Sequence, residues 1–453
     1  MNLFSKLQQR AEETNPIRVG LIGAGKFGTM FLSQLNRLPG IHIIGIADLF
    51  PANVESNLSL IGWPDEKYKG VNRTDAIKSG ATYVTDNWQR LVEDPHIEII
   101  IEATGNPVAA VTHCLGAFRN KKHVINVTVE ADAFCGFGLA QSAERAGVIY
   151  SMAYGDQPAL ACDLVDWARA CGFNVVAAGR GHKWLPHYRK STPDTVWDHW
   201  GLTAEQAERG RLNPKMFNGF LDGSKPAIES AAIANGTGLD VPDAGLTFPP
   251  GAIDDVPTLM RPKSEGGILE NKGMVEVVSC LTNEGQQIPH DIRKGVWVCF
   301  EAADDYQRNC FEEYNVVTDP SGKYMANYKR WHLIGLELAI SVASVGLRNE
   351  ATGIAKSFRA DVSAIAKRDL KPGEVLDGEG GYTVSGGLRP AKISVPKGYL
   401  PLGLAHNVRL INPVAEGQPV CWHDVEIDFT SDACMLRKSF ENQFSQGFDS
   451  GIS

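Results

Sequence analysis

Six basic side chains fall within twelve positions of an otherwise acidic chain. The stretch GRGHKWLPHYRK, residues 179–190, carries them, while the 453-residue chain has a formal net charge of −9. A basic run is usually a solvated surface, with aromatic residues such as Trp184 and Tyr188 covering apolar neighbours. This run directly follows the apolar segment FNVVAAG, which has the composition of a strand. That position favours a site that binds an anion.

The residue types in this stretch suggest three chemical roles. Arg180 can hold a phosphate through two parallel hydrogen bonds, and Lys183 can stabilise a developing oxyanion. His182 has the side chain that titrates nearest neutrality and can move a proton. We predict these three as catalytic residues. Further candidates for contact with a substrate phosphate are Arg189, Lys190, Lys329 and His332.

A glycine-rich turn near the N-terminus indicates a dinucleotide site. Gly23, Gly25 and Gly28 form G-x-G-x-x-G between the apolar run IRVGLI and the helical stretch TMFLSQLNRL. The first glycine permits a tight turn, the second lets the backbone approach a pyrophosphate, and the third lets helix and sheet pack closely. The helix N-terminus then offers unpaired N–H groups to the phosphates. Lys26 and Phe27 belong to the same predicted site.

Two further segments are expected to contact the cofactor. Asp48 ends the next strand, about 20 residues after the last glycine, where a carboxylate binds the ribose hydroxyls and favours NAD over NADP. The segment EATGNP follows the fourth predicted strand, and we expect Thr104, Gly105 and Asn106 near the nicotinamide ribose. The alternative for this segment is a plain turn between a strand and a helix.

The elements that must position these residues divide the chain into three predicted domains. Apolar runs alternate with helical stretches over 1–155, which predicts a Rossmann-type, doubly wound parallel sheet. Residues 156–326 read as a mixed α/β substrate and oligomerisation domain, in which MVEVVSCL and VWVCFEA are expected to pair as antiparallel strands. A long apolar helix within about 327–350 is expected to return to the first domain. Residues 352–453 read as a small β-rich domain.

Composition limits the class of protein. The pI near 5.7 argues against nucleic acid or an anionic membrane as a general partner, and no apolar run approaches the length of a membrane span. The nine cysteines are scattered and never spaced C-x-x-C, which fits reduced thiols in a cytoplasm. We therefore expect a cytoplasmic enzyme, a homodimer or homotetramer, with a small-molecule substrate.

The segment YGDQPAL after the sixth predicted strand resembles the homoserine dehydrogenase family. Gly155, Asp156, Gln157 and Pro158 stand where that family has a Gly-Gly-Ile-Pro-type segment. The family's Asn-Lys pair after the fifth strand is not matched, because VINVTVEAD contains no lysine. The C-terminal segment AIAKRDLKPGEVL resembles a SAF domain, a small β-clip module.

This domain order, with GRGHKW in the middle, resembles the deoxyxylulose-5-phosphate reductoisomerase-like (DRL) enzymes. The resemblance implies reduction and rearrangement of 1-deoxy-D-xylulose 5-phosphate to 2-C-methyl-D-erythritol 4-phosphate, a step of isoprenoid synthesis. It implies NADPH, although Asp48 favours NADH, and we follow the family. It also implies Mg²⁺ or Mn²⁺, whose ligands stay unassigned among Asp156, Asp194, Asp198 and Glu229.

Two other functions stay open. The first is an NAD(P)-dependent dehydrogenase of a small polyol, hydroxy acid or semialdehyde, which would need no metal ion. The second is a nucleotide-binding sensor or sugar-binding module without chemistry. The glycine-rich segment DGEGGYTVSGG reads as a flexible loop or as an arm that reaches over the cleft of a neighbouring subunit.

Overall fold

The chain divides into two compact units. The computed structural model describes residues 2–210 and 212–446. The first unit comprises Met1–Leu160 and Leu333–Ile354, and the second comprises Ala161–His332 and Ala355–Ser453. The predicted central and C-terminal domains therefore fall within one unit.

The strands were numbered in chain order. They are β1 (Ile17–Ile22), β2 (Ile41–Ala47), β3 (Tyr83–Thr85), β4 (Ile99–Glu102), β5 (His123–Asn126), β6 (Tyr150–Met152), β7 (Asn174–His182), β8 (Met274–Ser279), β9 (Val296–Glu301), β10 (Tyr324–Lys329), β11 (Ala360–Ala366), β12 (Val375–Asp377), β13 (Val384–Pro390), β14 (His406–Leu410) and β15 (Val425–Glu426).

The α-helices follow the same convention. They are α1 (Leu3–Glu12), α2 (Lys26–Leu35), α3 (Pro51–Leu60), α4 (Arg73–Ser79), α5 (Gln89–Val92), α6 (Pro107–Arg119), α7 (Val129–Ala146), α8 (Gln157–Ala170), α9 (Val196–Trp200), α10 (Ala204–Arg209), α11 (Pro214–Leu221), α12 (Ser224–Thr237), α13 (Val256–Leu259), α14 (Asp305–Glu313), α15 (Ala339–Arg348), α16 (Ala391–Ser394) and α17 (Asp432–Ser445). Short 3₁₀ turns include Pro186–Lys190 and Trp422–Asp424.

The first unit is built on a six-stranded parallel sheet. Its order is β3-β2-β1-β4-β5-β6, which confirms the predicted Rossmann-type sheet. The strands were recognisable as continuous apolar runs because helices cover both faces of such a sheet. Val19, Leu21 and Ile101 are among its fully buried side chains. The segments that follow β1, β4 and β5 lie at the same edge of the sheet, since the three strands are parallel neighbours.

The returning helix is shorter than predicted. Residues Tyr324–Lys329 form β10, which pairs antiparallel with β9, and the helix α15 begins only at Ala339. Gly335 adopts a φ of +80°, a conformation that interrupts a helix. Beyond it, Val342 and Val345 of α15 are buried in the core of the first unit. The predicted helix therefore overlaps the end of β10, whose burial does not alternate and whose strand character comes from pairing with β9.

The second unit contains a mixed sheet of order β10-β9-β7-β8. The predicted pairing of β8 with β9 was wrong, because β7 lies between them, parallel to β8 and antiparallel to β9. Two glycines of β7 permit this central position. A Cβ at Gly179 would overlap the carbonyl of Glu276, and one at Gly181 would overlap the carbonyl of Ile292.

The C-terminal part of the second unit is β-rich, as expected for a SAF domain. It packs against the central part through a buried ion pair of Lys367 Nζ with Asp222 Oδ2 at 2.6 Å. The glycine-rich segment does not extend away from its own chain. Asn218 Nδ2 of α11 donates to the carbonyl of Gly380 at 2.9 Å, and a Cβ at Gly380 would overlap the carbonyl of Lys215.

Among the described residues, no helix combines the length and the hydropathy that a bilayer span requires.

Candidate functional site

The glycine turn of the first unit has the geometry of a dinucleotide cradle. Gly23 adopts a φ of +90°, and a Cβ there would lie 2.7 Å from the carbonyl carbon of Ala103. Gly25 caps α2, and a Cβ there would meet no atom within 4 Å. A Cβ at Gly28 would lie 2.6 Å from the Gly23 oxygen. The turn is therefore tight, open towards a ligand at Gly25, and closely packed behind it. Lys26 and Phe27 begin α2, the first exposed and the second half-buried.

Asp48 is tied to this turn. Its Oδ2 accepts a hydrogen bond from the Ala24 N–H at 2.9 Å, and its Oδ1 accepts one from the Phe50 N–H at 3.0 Å. Each carboxylate oxygen can accept a further hydrogen bond. Asp48 therefore fixes the end of β2 against the glycine turn and keeps acceptor capacity for a ribose hydroxyl.

The loop after β4 is held rigidly by a carboxylate that sequence reasoning missed. Glu102 is fully buried and accepts from the Thr104 hydroxyl at 2.5 Å and from the Thr128 hydroxyl. His113 Nδ1 lies 3.2 Å from the same carboxylate. The N–H of Gly105, at a φ of +71°, donates to the Thr128 hydroxyl at 3.0 Å.

Asn106 has a local structural task in the same loop. Its Oδ1 accepts from the Ala109 N–H at 3.0 Å and so caps the N-terminus of α6. The loop fits both readings given above, a turn between strand and helix and a wall of the cofactor site at the carboxyl edge of the sheet.

A second buried carboxyl, that of Asp132, lies in the first turn of α7, after β5. Asp132 accepts from the Tyr150 hydroxyl at 2.6 Å and from Asn126 Nδ2 at 3.0 Å. Burial raises the pKa of Asp132 to about 7, against these hydrogen bonds, which lower it. The chain thus has a proton-holding network near the ends of β5 and β6.

In the second unit, the structure places Arg180 and His182 in the interior. Arg180 pairs with Glu229 of α12, and both side chains are buried. Another guanidinium nitrogen lies 3.3 Å from His182 Nδ1, and His182 Nε2 lies 2.7 Å from the Phe220 carbonyl, to which it donates. Burial and the charge of Arg180 hold the pKa of His182 well below its ordinary value. The residue is therefore neutral near pH 7, and the expected titration there does not fit this environment.

Lys183 lies next to a second cation that sequence reasoning missed. Its Nζ donates to the His199 carbonyl at 2.6 Å and lies 5.6 Å from the centre of the Trp200 ring. The guanidinium of Arg293 lies 4.8 Å from the same ring. Burial and then the Arg293 charge lower the pKa of Lys183. In the described ranges neither cation forms an ion pair with a carboxylate.

The remaining basic candidates are dispersed. The Arg189 guanidinium lies 5.2 Å from the centre of the Trp184 ring. Lys190 forms an exposed ion pair with Glu416 at 2.5 Å. Lys329 ends β10, and His332 Nδ1 lies 2.7 Å from the Lys294 carbonyl.

The four acids considered for Mg²⁺ or Mn²⁺ lie in different surroundings. Glu229 pairs with Arg180, Asp194 accepts from a tyrosine hydroxyl at 2.8 Å, and Asp156 accepts from the Gln157 N–H at 2.9 Å. Asp198 is exposed. None of the four joins a group of three potential ligand side chains in the part of the chain that the structure describes. The ligands of a hard divalent ion therefore stay unassigned.

Two family models match the chain. Residues 155–338 match "Oxidoreductase DRL, catalytic domain", and residues 361–426 match the SAF domain. Together with the Rossmann-type sheet, these matches define an oxidoreductase that carries a SAF domain. The SAF resemblance is confirmed, and the DRL resemblance is confirmed for the central part of the chain. Neither match names a substrate.

Solved structures share part of the fold. An NAD-binding oxidoreductase of Klebsiella pneumoniae is 20% identical, covers 39% of this chain and 47% of its own, and gives a TM-score of 0.27. An oxidoreductase of Magnetospirillum magnetotacticum, described as putative in its name, is 22% identical, covers 41% of this chain and 53% of its own, and gives a TM-score of 0.27. A biliverdin reductase of Synechocystis, in complex with biliverdin and NADP⁺, is 18% identical, covers 38% of this chain and 48% of its own, and gives a TM-score of 0.26.

The likeness spans about half the length of those three chains. TM-scores this low carry no functional information. A search of curated proteins gave no match.

Proposed function

We propose that the protein is a nicotinamide-dependent dehydrogenase that interconverts a small hydroxy acid and the corresponding oxo acid. The pair of cations at Trp200 carries this proposal. Lys183 and Arg293 approach one indole ring, and no carboxylate of the described residues neutralises either of them. A guanidinium beside an ammonium favours a substrate with an anionic group, because the planar fork of arginine matches a carboxylate.

The residues of the first unit support a nicotinamide cofactor. The open space at Gly25 and the N-terminus of α2 fit a pyrophosphate, and the Asp48 carboxylate fits a ribose diol. The segment from Asp48 to Asn57 contains no lysine or arginine that would bind a 2′-phosphate. We therefore expect NADH to bind more tightly than NADPH, the opposite of what the family resemblance implies. When bound, the cofactor supplies or accepts the hydride.

Lys183 is proposed as the acid–base group. In the reducing direction its ammonium donates a proton to the substrate oxygen as the carbonyl becomes an alcohol, and in the oxidising direction its neutral amine takes that proton back. The lowered pKa of Lys183, caused by burial and by Arg293, suits both directions. Arg293 is proposed to hold the carboxylate. Arg180, through Glu229, is proposed to fix the end of β7 that precedes Lys183.

The reductoisomerase reaction is a second candidate, favoured by the match of residues 155–338 to the DRL model. That reaction implies a divalent ion, and the acids named for it are separately engaged or exposed. The dehydrogenase reaction requires no such ion and is therefore preferred.

An assay of the purified full chain separates the two candidates. The absorbance of reduced nicotinamide would be followed with NAD⁺ and a panel of small hydroxy acids, neutral polyols as comparison substrates, and with NADPH and 1-deoxy-D-xylulose 5-phosphate in the presence and absence of Mn²⁺. We expect metal-independent turnover restricted to acids. Metal-dependent oxidation with the sugar phosphate would replace the proposal by the reductoisomerase.

Lys183→Ala tests the proposed role within the active protein. We expect kcat to fall by about 100-fold or more, the usual worth of a positioned acid–base group, with unchanged affinity for NADH. Lys190→Ala is the matched control, since this nearby lysine forms only an exposed ion pair. Equal kcat in both variants would remove Lys183 from the chemistry.

A further inference from the structure

A tight turn in the SAF domain brings three different metal-binding side chains together. Cys421, His423 and Asp424 lie in the sequence CWHD, at the 3₁₀ turn before β15. Their Sγ, imidazole nitrogen and carboxylate oxygen all lie within 4.8 Å of one another. In the described residues this is the one group of three or more cysteine, histidine, aspartate or glutamate side chains with that property.

The backbone of this turn is firmly held. The Trp422 N–H donates to the Gly398 carbonyl at 2.9 Å, and the Ile411 N–H donates to the Asp424 carbonyl at 2.7 Å. The backbone of Cys421 also bridges to that of Tyr399. Ligands on a pinned turn lose little freedom when an ion binds, which favours binding.

The aspartate is already oriented as a ligand would be. Its Oδ2 accepts from the Cys421 N–H at 2.8 Å, which leaves Oδ1 towards His423 Nε2 at 3.3 Å. The His423 side chain is 75% exposed and the Asp424 side chain 11% exposed. The imidazole can therefore rotate onto an ion while the carboxylate stays in place.

We propose that Cys421, His423 and Asp424 bind a zinc-type divalent cation at this turn. Ligand bonds of about 2.0–2.3 Å place the donors of a tetrahedral zinc site about 3.3–3.8 Å apart. His423 Nε2 and Asp424 Oδ1 already have this spacing at 3.3 Å, so that only the distances to Cys421 Sγ, at most 4.8 Å, have to shorten. Sulfur and nitrogen donors select zinc-like ions over magnesium or manganese. Thiolate and carboxylate together balance the charge of a dication. Three protein ligands leave one position for solvent.

This site is independent of the proposed dehydrogenase reaction. Its residues lie in the segment that matches the SAF domain, outside the match to the catalytic domain. The test therefore uses metal binding, and activity does not enter it.

Cobalt provides the readout, because thiolate ligation gives a charge-transfer band and tetrahedral ligation gives intense visible bands. The full chain, freed of metal by a chelator, would be titrated with Co²⁺ and then with Zn²⁺. We expect both sets of bands to saturate at one equivalent of Co²⁺ per chain and to disappear as Zn²⁺ displaces it. Mg²⁺ in excess should leave them unchanged.

Variants locate the site. Cys421→Ser should lose the thiolate band, and His423→Ala, an exposed position that the fold tolerates, should weaken binding by at least about tenfold. Cys310→Ser is the matched control, since this thiol is similarly half-buried but belongs to no such group. The proposal is overturned if the parent chain shows no thiolate band, or if His423→Ala binds cobalt as tightly as the parent and the Cys310→Ser variant.

Discussion

The glycine turn of the first unit and the basic stretch of the second are opposite kinds of site. The turn is built from backbone: Gly25 leaves space, and Ala24 is held by Asp48. The basic stretch is built from long side chains. Arg180 and His182 contact each other, Arg180 pairs with Glu229, and His182 donates to the Phe220 carbonyl. Pattern alone therefore predicts the backbone geometry of the glycine turn, whereas residue type alone does not predict the partners of Arg180 and His182.

The difference lies in what determines each geometry. A glycine pattern constrains the backbone directly, so that its meaning is local. The partner of a cationic side chain is determined by the tertiary fold. Arg180 pairs with Glu229, which lies on a helix 49 positions later in the sequence. Lys183 and Arg189 differ from Arg180, since neither forms an ion pair with a carboxylate in the described residues.

The largest expected effect tests the backbone site. Gly25→Val should abolish cofactor binding while the protein stays folded, because the new side chain occupies space that is open in the structure. Calorimetric titration with NADH and a thermal melt measure the two quantities. Gly219→Ala, where a Cβ makes only ordinary contacts, is the control. Normal NADH affinity in Gly25→Val would show that the ligand does not approach this glycine.

The next effect tests the side-chain site. Arg180→Met should lower the free energy of unfolding by about 3–5 kcal/mol, because it leaves the Glu229 carboxylate buried without its cation. The double variant with Glu229→Gln should recover part of that loss in chemical denaturation. If Arg180 instead holds the substrate, the single variant will keep its stability and raise KM.

The smallest effect concerns Asp132, whose carboxyl is buried in the first unit. Folding holds the pKa of Asp132 at about 7, above its ordinary 3.8. The folded state therefore favours the protonated form, and this contribution to stability is complete below pH 4 and is lost as the pH rises through 7. The loss amounts to about 4 kcal/mol at most, at 1.36 kcal/mol per pKa unit.

Asp132→Asn should remove this pH dependence. The unfolding free energy of the variant, relative to the parent, should rise between pH 4 and pH 7 and stay level above. Asp254→Asn, at an exposed position, should follow the parent throughout. Parallel curves for the parent and Asp132→Asn would mean that the carboxyl is ionised in the folded protein.

Much of the first unit could be predicted from the sequence. A buried parallel strand reads as a continuous apolar run, and β1, β2 and β4 all do. The second unit could not be read in the same way. The order of its sheet depends on the long-range pairing of β7 with both β8 and β9, and β10 gains its strand character only from pairing with β9.

The candidate site was predictable to the extent that its chemistry is local. Gly23, Gly25 and Asp48 were predicted from their spacing. Glu102 had a signal, since it ends the apolar run IEIII, but its partners Thr128 and His113 come from other elements. Arg293 had no signal in the sequence, because only the fold places it next to Trp200.

The buried Lys367 links the SAF segment to the central part of the chain, which affects any attempt to separate the two. Its ammonium is shared by the carboxylate of Asp222 and by the carbonyls of Ser191 and Gly381, which lie on both sides of the boundary between the two matched domains. A shortened gene that stops before the SAF segment would expose Asp222 as an orphan charge. A chimera with a foreign SAF module would need a lysine at the same place. Separating the two modules is therefore expected to destabilise the central part of the chain.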